Sequence, residues 1–372
     1  MPKKAIPKGG HISSLAFPAL KCTLLDQVMT RFLRVGILAL APLVFSFAST
    51  ATSFANNIAQ ENKSAATPQY VIISFDGAQH IAQWQRSRAL GREINAHFSY
   101  FLSCVYLLTP ETRFTYKAPG FGKPRSNVGY AQSRDEVAGR LDQIWQAHLE
   151  GHDISSHGCG HFDGKGWSLS DWNSEFEQFT DIVGGAWKRN GIEGEPAGWQ
   201  DFVHDEIRGF RAPYLSTNNA LYKALAGQGF LYDASGVSKG PVLPKARGGV
   251  ERFSLPLIPE GPNERNVIAM DYNLYVRHSG GKERPEKASV YEERAYEAFL
   301  ASFDKQYRGQ RIPVQLGFHF TLMNGGAYWN ALERFAREVC SKNDVRCVSY
   351  RDYLAAQAGD ERARPKAEGG GT

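Results

Sequence analysis

Residues 70–75, Tyr-Val-Ile-Ile-Ser-Phe, form a nearly continuous apolar run rich in β-branched side chains. A strand with one wet face would alternate apolar and polar residues. This run therefore predicts a strand covered on both faces, as in a parallel sheet flanked by helices. It stops at Asp76-Gly77-Ala78, a carboxylate followed by a turn signal.

The pattern repeats along the chain. A helix is expected over 84–96, an apolar aromatic segment over 96–108, and an amphipathic helix over 134–149 with Val137, Leu141, Ile144 and Trp145 on one face. Ser168 or Asp171 is placed to cap a helix reaching about Arg189. Further helices are expected over 218–226, 289–307 and 327–339, and strands over 230–232, 267–276, 312–320 and 345–350. Residues 109–133 form an unusually long Pro/Gly/basic loop, which suggests a functional role. Strands alternating with helices over about 290 residues predict an α/β fold with a mostly parallel sheet.

The leader has its own logic. Arg31 and Arg34 precede the apolar run 35–47, and Ser53-Phe54-Ala55 resembles a cleavage site. That is the pattern of a secretory signal peptide, with Met29 as its natural start and cleavage near Ala55. The run is shorter than the ~20 residues of a spanning helix, although an uncleaved N-terminal anchor is the alternative. Residues 56–68 read as a linker, 69–356 as one catalytic domain, and 357–372 as a disordered tail. Residues 1–55 hold six of the 43 Lys/Arg and one of the 38 acids, so the remainder is formally neutral. Charge therefore offers no case for a nucleic-acid partner. The expectation is a periplasmic or secreted protein with no stable membrane span after processing.

Export permits disulfides, and four cysteines follow the leader. Cys340 and Cys347 flank a short polar loop that they are expected to bridge. Cys104 and Cys159 each end a segment read as a strand and would bridge if those ends are neighbours. Alternatively, Cys159 is a thiolate ligand, or all four are free thiols.

The stretch 151–161, Gly-His-Asp-Ile-Ser-Ser-His-Gly-Cys-Gly-His, brings His157 and His161 out of a short strand on a glycine-rich loop. Neutral imidazole is the commonest ligand for zinc-like metals. Four further polar residues end predicted strands or sit just beyond them: Asp76, Arg211, Asp233 and His319. In barrels of this class the C-terminal strand ends build the active site. Singly, Arg211 reads as an ion pair, Asp233 as a turn former and His319 as a core histidine; together they read as a site.

The ordered set Ser74-Phe75-Asp76-Gly77, His157-x-x-x-His161, Arg211-Ala212-Pro213-Tyr214, Asp233 and Leu316-x-x-His319 resembles the five motifs of the polysaccharide deacetylases, the NodB-homology domain of carbohydrate esterase family 4. The resemblance covers about residues 68–355. It implies a distorted (β/α) barrel with fewer than eight strands and metal-dependent removal of acetyl groups from a polysaccharide such as peptidoglycan, a chitin-like polymer or an exopolysaccharide. It implies His157 and His161 as ligands of a divalent metal, zinc foremost with cobalt or manganese as substitutes. Asp76 matches the general base, Arg211 its orienting partner, and Tyr214 the residue whose backbone N–H stabilises the oxyanion. His319 matches the general acid, with Asp233 tuning it.

Three departures matter: Gly158 follows His157 where the family prefers Ser or Thr, Phe320 follows His319 where a polar residue is frequent, and the first motif differs. The family has two adjacent aspartates in its first motif, one base and one ligand; here Gly77 follows Asp76. Asp76 is then either base or third metal ligand, with Asp153 and Asp163 as other nearby carboxylates. A glycan-binding protein without turnover is the competing expectation, as is a metal-dependent hydrolase of another acyl bond. Trp167, Trp172, Trp199 and Trp329 would offer sugar-stacking surfaces.

Overall fold

The computed structural model describes residues 67–363. The leader, all but the end of the 56–68 linker, and the tail beyond 363 lie outside the described residues.

The first strand, β1 (Gln69–Gly77), is buried along its whole length. It is followed by α1 (Ile81–Ile94), β2 (Ser99–Leu102), α2 (Arg134–Leu149) and β3 (Asp153–Ser156). Next come α3 (Leu169–Gly184), β4 (Gly209–Phe210), α4 (Asn219–Gly227), β5 (Tyr232–Ser238), β6 (Lys245–Arg247), β7 (Val250–Glu260) and β8 (Arg265–Ile268). The chain continues through α5 (Asp271–Ser279), α6 (Ala288–Tyr307), β9 (Val314–His319), α7 (Ala327–Cys340), β10 (Val345–Val348) and α8 (Tyr350–Ala363).

Parallel pairing runs β9–β1–β2–β3–β4–β5–β7. The sheet curls round, and the segment after β8 spans its ends. Ala269 N–H donates to Pro256 on β7, its carbonyl accepts from Gly317 on β9, and Met270 bridges Gly317. The result is a distorted barrel of seven parallel strands. β10 flanks the first half of β1, while β6 and β8 are antiparallel additions to β7.

Strand periodicity sorts β1 into two faces. Tyr70 and Ile72 pack with Phe101, Tyr232, Phe253 and Tyr350 inside the barrel. Val71, Ile73 and Phe75 pack outward beneath the helices. Both faces are apolar, so the sequence shows no alternation. By the same count Asp76 points inward at the barrel's C-terminal end.

Helix boundaries follow their caps. Ser133 Oγ accepts from Glu136 N–H at the start of α2. Ser168 and Asp171 form a capping box at α3, worth about 1 kcal/mol per cap. Helix α3 ends at Gly184 rather than near Arg189, because Gly185 breaks it before a short turn, Ala186–Arg189.

Three expectations are corrected. The strand read over 267–276 is β8 followed by α5: the chain leaves the sheet once Ala269 and Met270 have joined its ends, and Asp271 begins a helix. The strand ending at Asp233 instead runs to Ser238 beside β7, whose extent the sequence did not disclose. Residues read as the start of a disordered tail, 357–363, belong to α8, which begins at the buried Tyr350.

Both expected disulfides form. Cys340–Cys347 closes the turn between α7 and β10. Cys104–Cys159 joins the end of β2 to the histidine loop, with Cα atoms 4.4 Å apart, so Cys159 is no thiolate ligand. Closing a loop across a separation of 55 residues restricts the unfolded chain by about 4 kcal/mol on the chain-entropy estimate. The Cys104→Ser/Cys159→Ser variant is expected to lose about 2–4 kcal/mol in denaturant unfolding. Hydrogen exchange should quicken at His157–His161 before the core; an unchanged midpoint would contradict this.

Candidate active site

Strand register begins the site. In β1 and β9, Asp76 pairs with His319, so the two side chains stand side by side at the same barrel end. Next to them, His157 and Arg211 each follow the last paired residues of β3 and β4, Ser156 and Phe210. Asp76, His157 and His319 open on one cleft of about 470 Å³, whose lining also includes His161, Tyr214 and Tyr272, while Arg211 lies buried behind it.

Arg211 is the hub. Its side chain is fully buried. Nη1 donates to Asp76 Oδ1 at 2.7 Å, Nε to the Ala234 carbonyl at 3.0 Å, and Nη2 to Tyr350 Oη at 3.0 Å. The guanidinium also lies 4.3 Å from the centroid of the Phe101 ring. Its backbone carbonyl meets His157 Nδ1 at 2.7 Å. A carbonyl only accepts, so Nδ1 carries the proton and Nε2 is the bare nitrogen. One residue thus fixes both the carboxylate and an imidazole tautomer.

The electrostatics follow from this packing. Burial alone would raise the Asp76 carboxyl, but the charge of Arg211 foremost, with its hydrogen bond and the charge of His319, outweighs it and holds the group below the usual range. Burial pushes His157 down to about 3, and His161 is lowered for the same first reason. Both rings are neutral. For His319, burial works against charge, yet the Asp271 carboxylate and then Asp76 raise it above its ordinary value.

Asp271 is the residue the sequence missed. Its Oδ1 accepts from His319 Nδ1 at 2.7 Å and its Oδ2 from the His319 backbone N–H at 2.7 Å. Trp329 Nε1 donates to the His319 carbonyl at 2.9 Å. The ring is held firmly, with Nε2 as its free position. The available signal was an acid following the apolar run 267–270, obscured by reading the segment as one strand.

Asp233 does not take that part. It is buried and pushed up to about 6, chiefly by desolvation. It bonds Ser235, whose Oγ accepts from the Ala212 N–H at 2.8 Å. Asp233 therefore shapes the Arg211–Tyr214 turn instead of tuning His319. Asp153 lies at the opposite end of its strand, bonded to Ser99 Oγ and Tyr232 Oη. Asp163 is an exposed cap on a turn, accepting from Lys165 N–H. Trp172, Trp199 and Trp329 are buried core rather than sugar platforms, and Trp167 packs half-buried against Trp172.

Glu175 was also missed. Buried on α3, it accepts from Cys159 N–H at 2.6 Å and Gly160 N–H at 3.4 Å, while Tyr116 Oη donates to its other oxygen at 2.9 Å. With the disulfide, it holds the histidine loop, which turns through Gly158 at φ +69°. His161 adopts φ +55° and Tyr214 φ +58°, both unusual for side-chain-bearing residues and both at the cleft. Their rings lie 4.9 Å apart, and the rings of His157 and His161 5.0 Å apart.

The imidazole pair fits a divalent metal by its chemistry: neutral rings, with His157 oriented by a carbonyl on its far nitrogen. The three-donor set with Asp76 is not assembled. Among the described residues, no three His, Cys, Asp or Glu side chains are grouped to hold a metal. Asp76 is instead drawn to Arg211. Position 77 does not simply lack a side chain: its φ is +89°, and a Cβ there would lie 2.8 Å from Gln79 Oε1. The backbone has a form that glycine favours.

No protein-family profile matches the sequence, and no curated protein matches it. Solved structures do. One is a Mycobacterium smegmatis protein described as a polysaccharide deacetylase: TM-score 0.50, 18% identity, covering 83% of this chain and 96% of that one. Another, from Pseudomonas aeruginosa PAO1 and described likewise, has TM-score 0.46 and 14% identity over 80% of this chain and 92% of its own. An allantoinase has TM-score 0.47 and 14% identity over 79% of this chain and 92% of its own. The first match shows that this chain has the polysaccharide-deacetylase fold.

Proposed function

We propose that the protein is an exported hydrolase that removes N-acetyl groups from an amino-sugar polysaccharide. The observation that carries this reading is the side-by-side pairing of an ionised carboxylate locked by arginine, Asp76, with an imidazole locked by aspartate, His319, in one cleft.

The chain's residues divide the work. Asp76, ionised and immobile, takes a proton from the attacking water. The water oxygen bonds to the acyl carbon, and the Tyr214 backbone N–H stabilises the resulting oxyanion. The carbon–nitrogen bond then breaks as His319 gives its Nε2 proton to the leaving amine. Arg211 and Asp271 orient the base and acid respectively. His157 and His161 would hold a divalent ion, zinc foremost with cobalt or manganese as substitutes. When bound, such an ion supplies Lewis acidity. Two disulfides support the exported setting, and no helix among the described residues is long and apolar enough to cross a membrane.

The test is acetate release from N-acetylated chitooligosaccharides and peptidoglycan, with added Zn²⁺, Co²⁺ or Mn²⁺. Release that persists in Asp76→Ala would refute the assignment. Glycan binding without acetate release would favour a non-catalytic binding protein, a reading supported by the unassembled third metal donor. Metal content separates the remaining part. Purified protein should hold roughly one ion per chain, falling below about a tenth of that in His157→Ala or His161→Ala. Full activity in metal-free protein would remove the ion from the reading while leaving Asp76 and His319 in place.

A further inference from the structure

Two polar side chains in the cleft take no part in the chemistry above. Gln79 and Tyr106 line it beside Asp76 and Gly77. Tyr106 is only 4% exposed, and burial raises its phenol above the ordinary value, so it stays protonated as a donor. Among the described residues, neither its hydroxyl nor the Gln79 amide has a hydrogen-bond partner. Buried phenols seldom go without one, so a ligand atom that reaches this pair gains a ready contact.

The pair is held from behind. The chain leaves β1 through two left-handed residues, Gly77 at φ +89° and Ala78 at φ +60°, and this turn brings Gln79 back against Gly77. Trp84 Nε1 donates to the Ala78 carbonyl at 2.9 Å. The buried Arg140 donates from Nε to the Gln79 carbonyl and from Nη1 to the Tyr106 carbonyl, each at 2.6 Å. One guanidinium on α2 thus sets the spacing of the two residues.

The hollow over Gly77 has a chemical preference. The position of a Cβ on residue 77 lies 2.8 Å from Gln79 Oε1 and 3.9 Å from Tyr106 Oη. At the shorter range a carbon clashes with an amide oxygen, whereas a hydroxyl oxygen makes a hydrogen bond of ordinary length. A hydroxyl also suits both partners, since it donates to Oε1 and accepts from the phenol. Because residue 77 directly follows Asp76, a group in this hollow adjoins the acyl carbon under attack. Resting on the proposed deacetylase reading, we infer that Gln79 and Tyr106 are specificity-determining residues that read a free hydroxyl flanking the acetamido group. In a 1,4-linked 2-acetamido sugar that group is the C3 hydroxyl. An ether at C3 has no proton for Oε1 and crowds the hollow with carbon, so the pair rejects it.

The experiment titrates the full-length protein, Tyr106→Phe and Gln79→Leu by calorimetry with three N-acetylated, 1,4-linked tetrasaccharides. These carry a free C3 hydroxyl, no oxygen at C3, or a C3 methyl ether, and acetate release is followed alongside. The parent protein should bind the hydroxylated chain about tenfold more tightly than either analogue. Each variant should lose the preference over the deoxy chain, with affinity for the deoxy chain itself within about twofold of the parent's. Equal affinity of the three glycans for the parent protein, a preference that survives in either variant, or no binding of any glycan would overturn the inference. Acetate release without hydroxyl preference removes this inference alone. Hydroxyl preference without acetate release removes only the hydrolytic reading.

Discussion

Asp76→Asn is expected to lower the turnover number for acetate release by about 10³-fold, within the 10²–10⁴ range of general acid–base catalysis. The amide keeps an oxygen to accept from Arg211 Nη1, so the packing around the buried guanidinium has a conservative replacement. What is lost is the ability to take a proton. Glycan affinity should stay within about threefold, because Asp76 contributes a base rather than a binding surface. Asp76→Ala is a harsher change that strands a fully buried Arg211, at a cost of about 3–5 kcal/mol. Turnover and unfolding must therefore be measured together. A folded Asp76→Asn protein with turnover within tenfold of the parent would remove this carboxylate from the chemistry.

The second large effect concerns the acid. Asp271→Asn should lower turnover at pH 8 by about tenfold or more and move the alkaline limb of the pH–rate profile toward acid. The sign follows from the charges. The Asp271 carboxylate is the main influence raising His319 against its burial. With that charge removed, burial prevails, His319 deprotonates at lower pH, and the protonated acid is scarce above neutrality. The acid limb should move little, since Asp76 is held low mainly by Arg211 against its own burial. His319→Ala should lose the alkaline limb altogether, with metal content unchanged. The same alkaline limb in Asp271→Asn as in the parent would show that Asp271 only supports the strand end. Asp233→Asn makes the control: its carboxylate engages Ser235, so the profile should keep its shape.

Particular residues show what could be read without coordinates. The doubly buried character of 70–75 predicted a parallel sheet because side chains alternate strictly across a strand, and apolar residues on both faces need cover on both sides. Ser168 and Asp171 marked a helix start because capping is local, involving residues three apart. His157, His161, Arg211 and His319 were legible because each lies at or just beyond the end of an identifiable strand. Asp271 and Glu175 were not. The first acts across 48 residues on His319, and the second reaches a loop 15 residues away through backbone N–H groups. Neither contact has a local pattern to reveal it.

By itself, then, the order of residues determined the alternation of strands and helices, and with it the α/β class and the candidates at the strand ends. Only the folded barrel showed that Asp271, and not Asp233, bonds His319, and that Arg211 locks the Asp76 carboxylate. The physical reason is that propensity and periodicity are summed over neighbouring residues. An ion pair or hydrogen bond depends instead on where the curl and register of the sheet bring distant side chains.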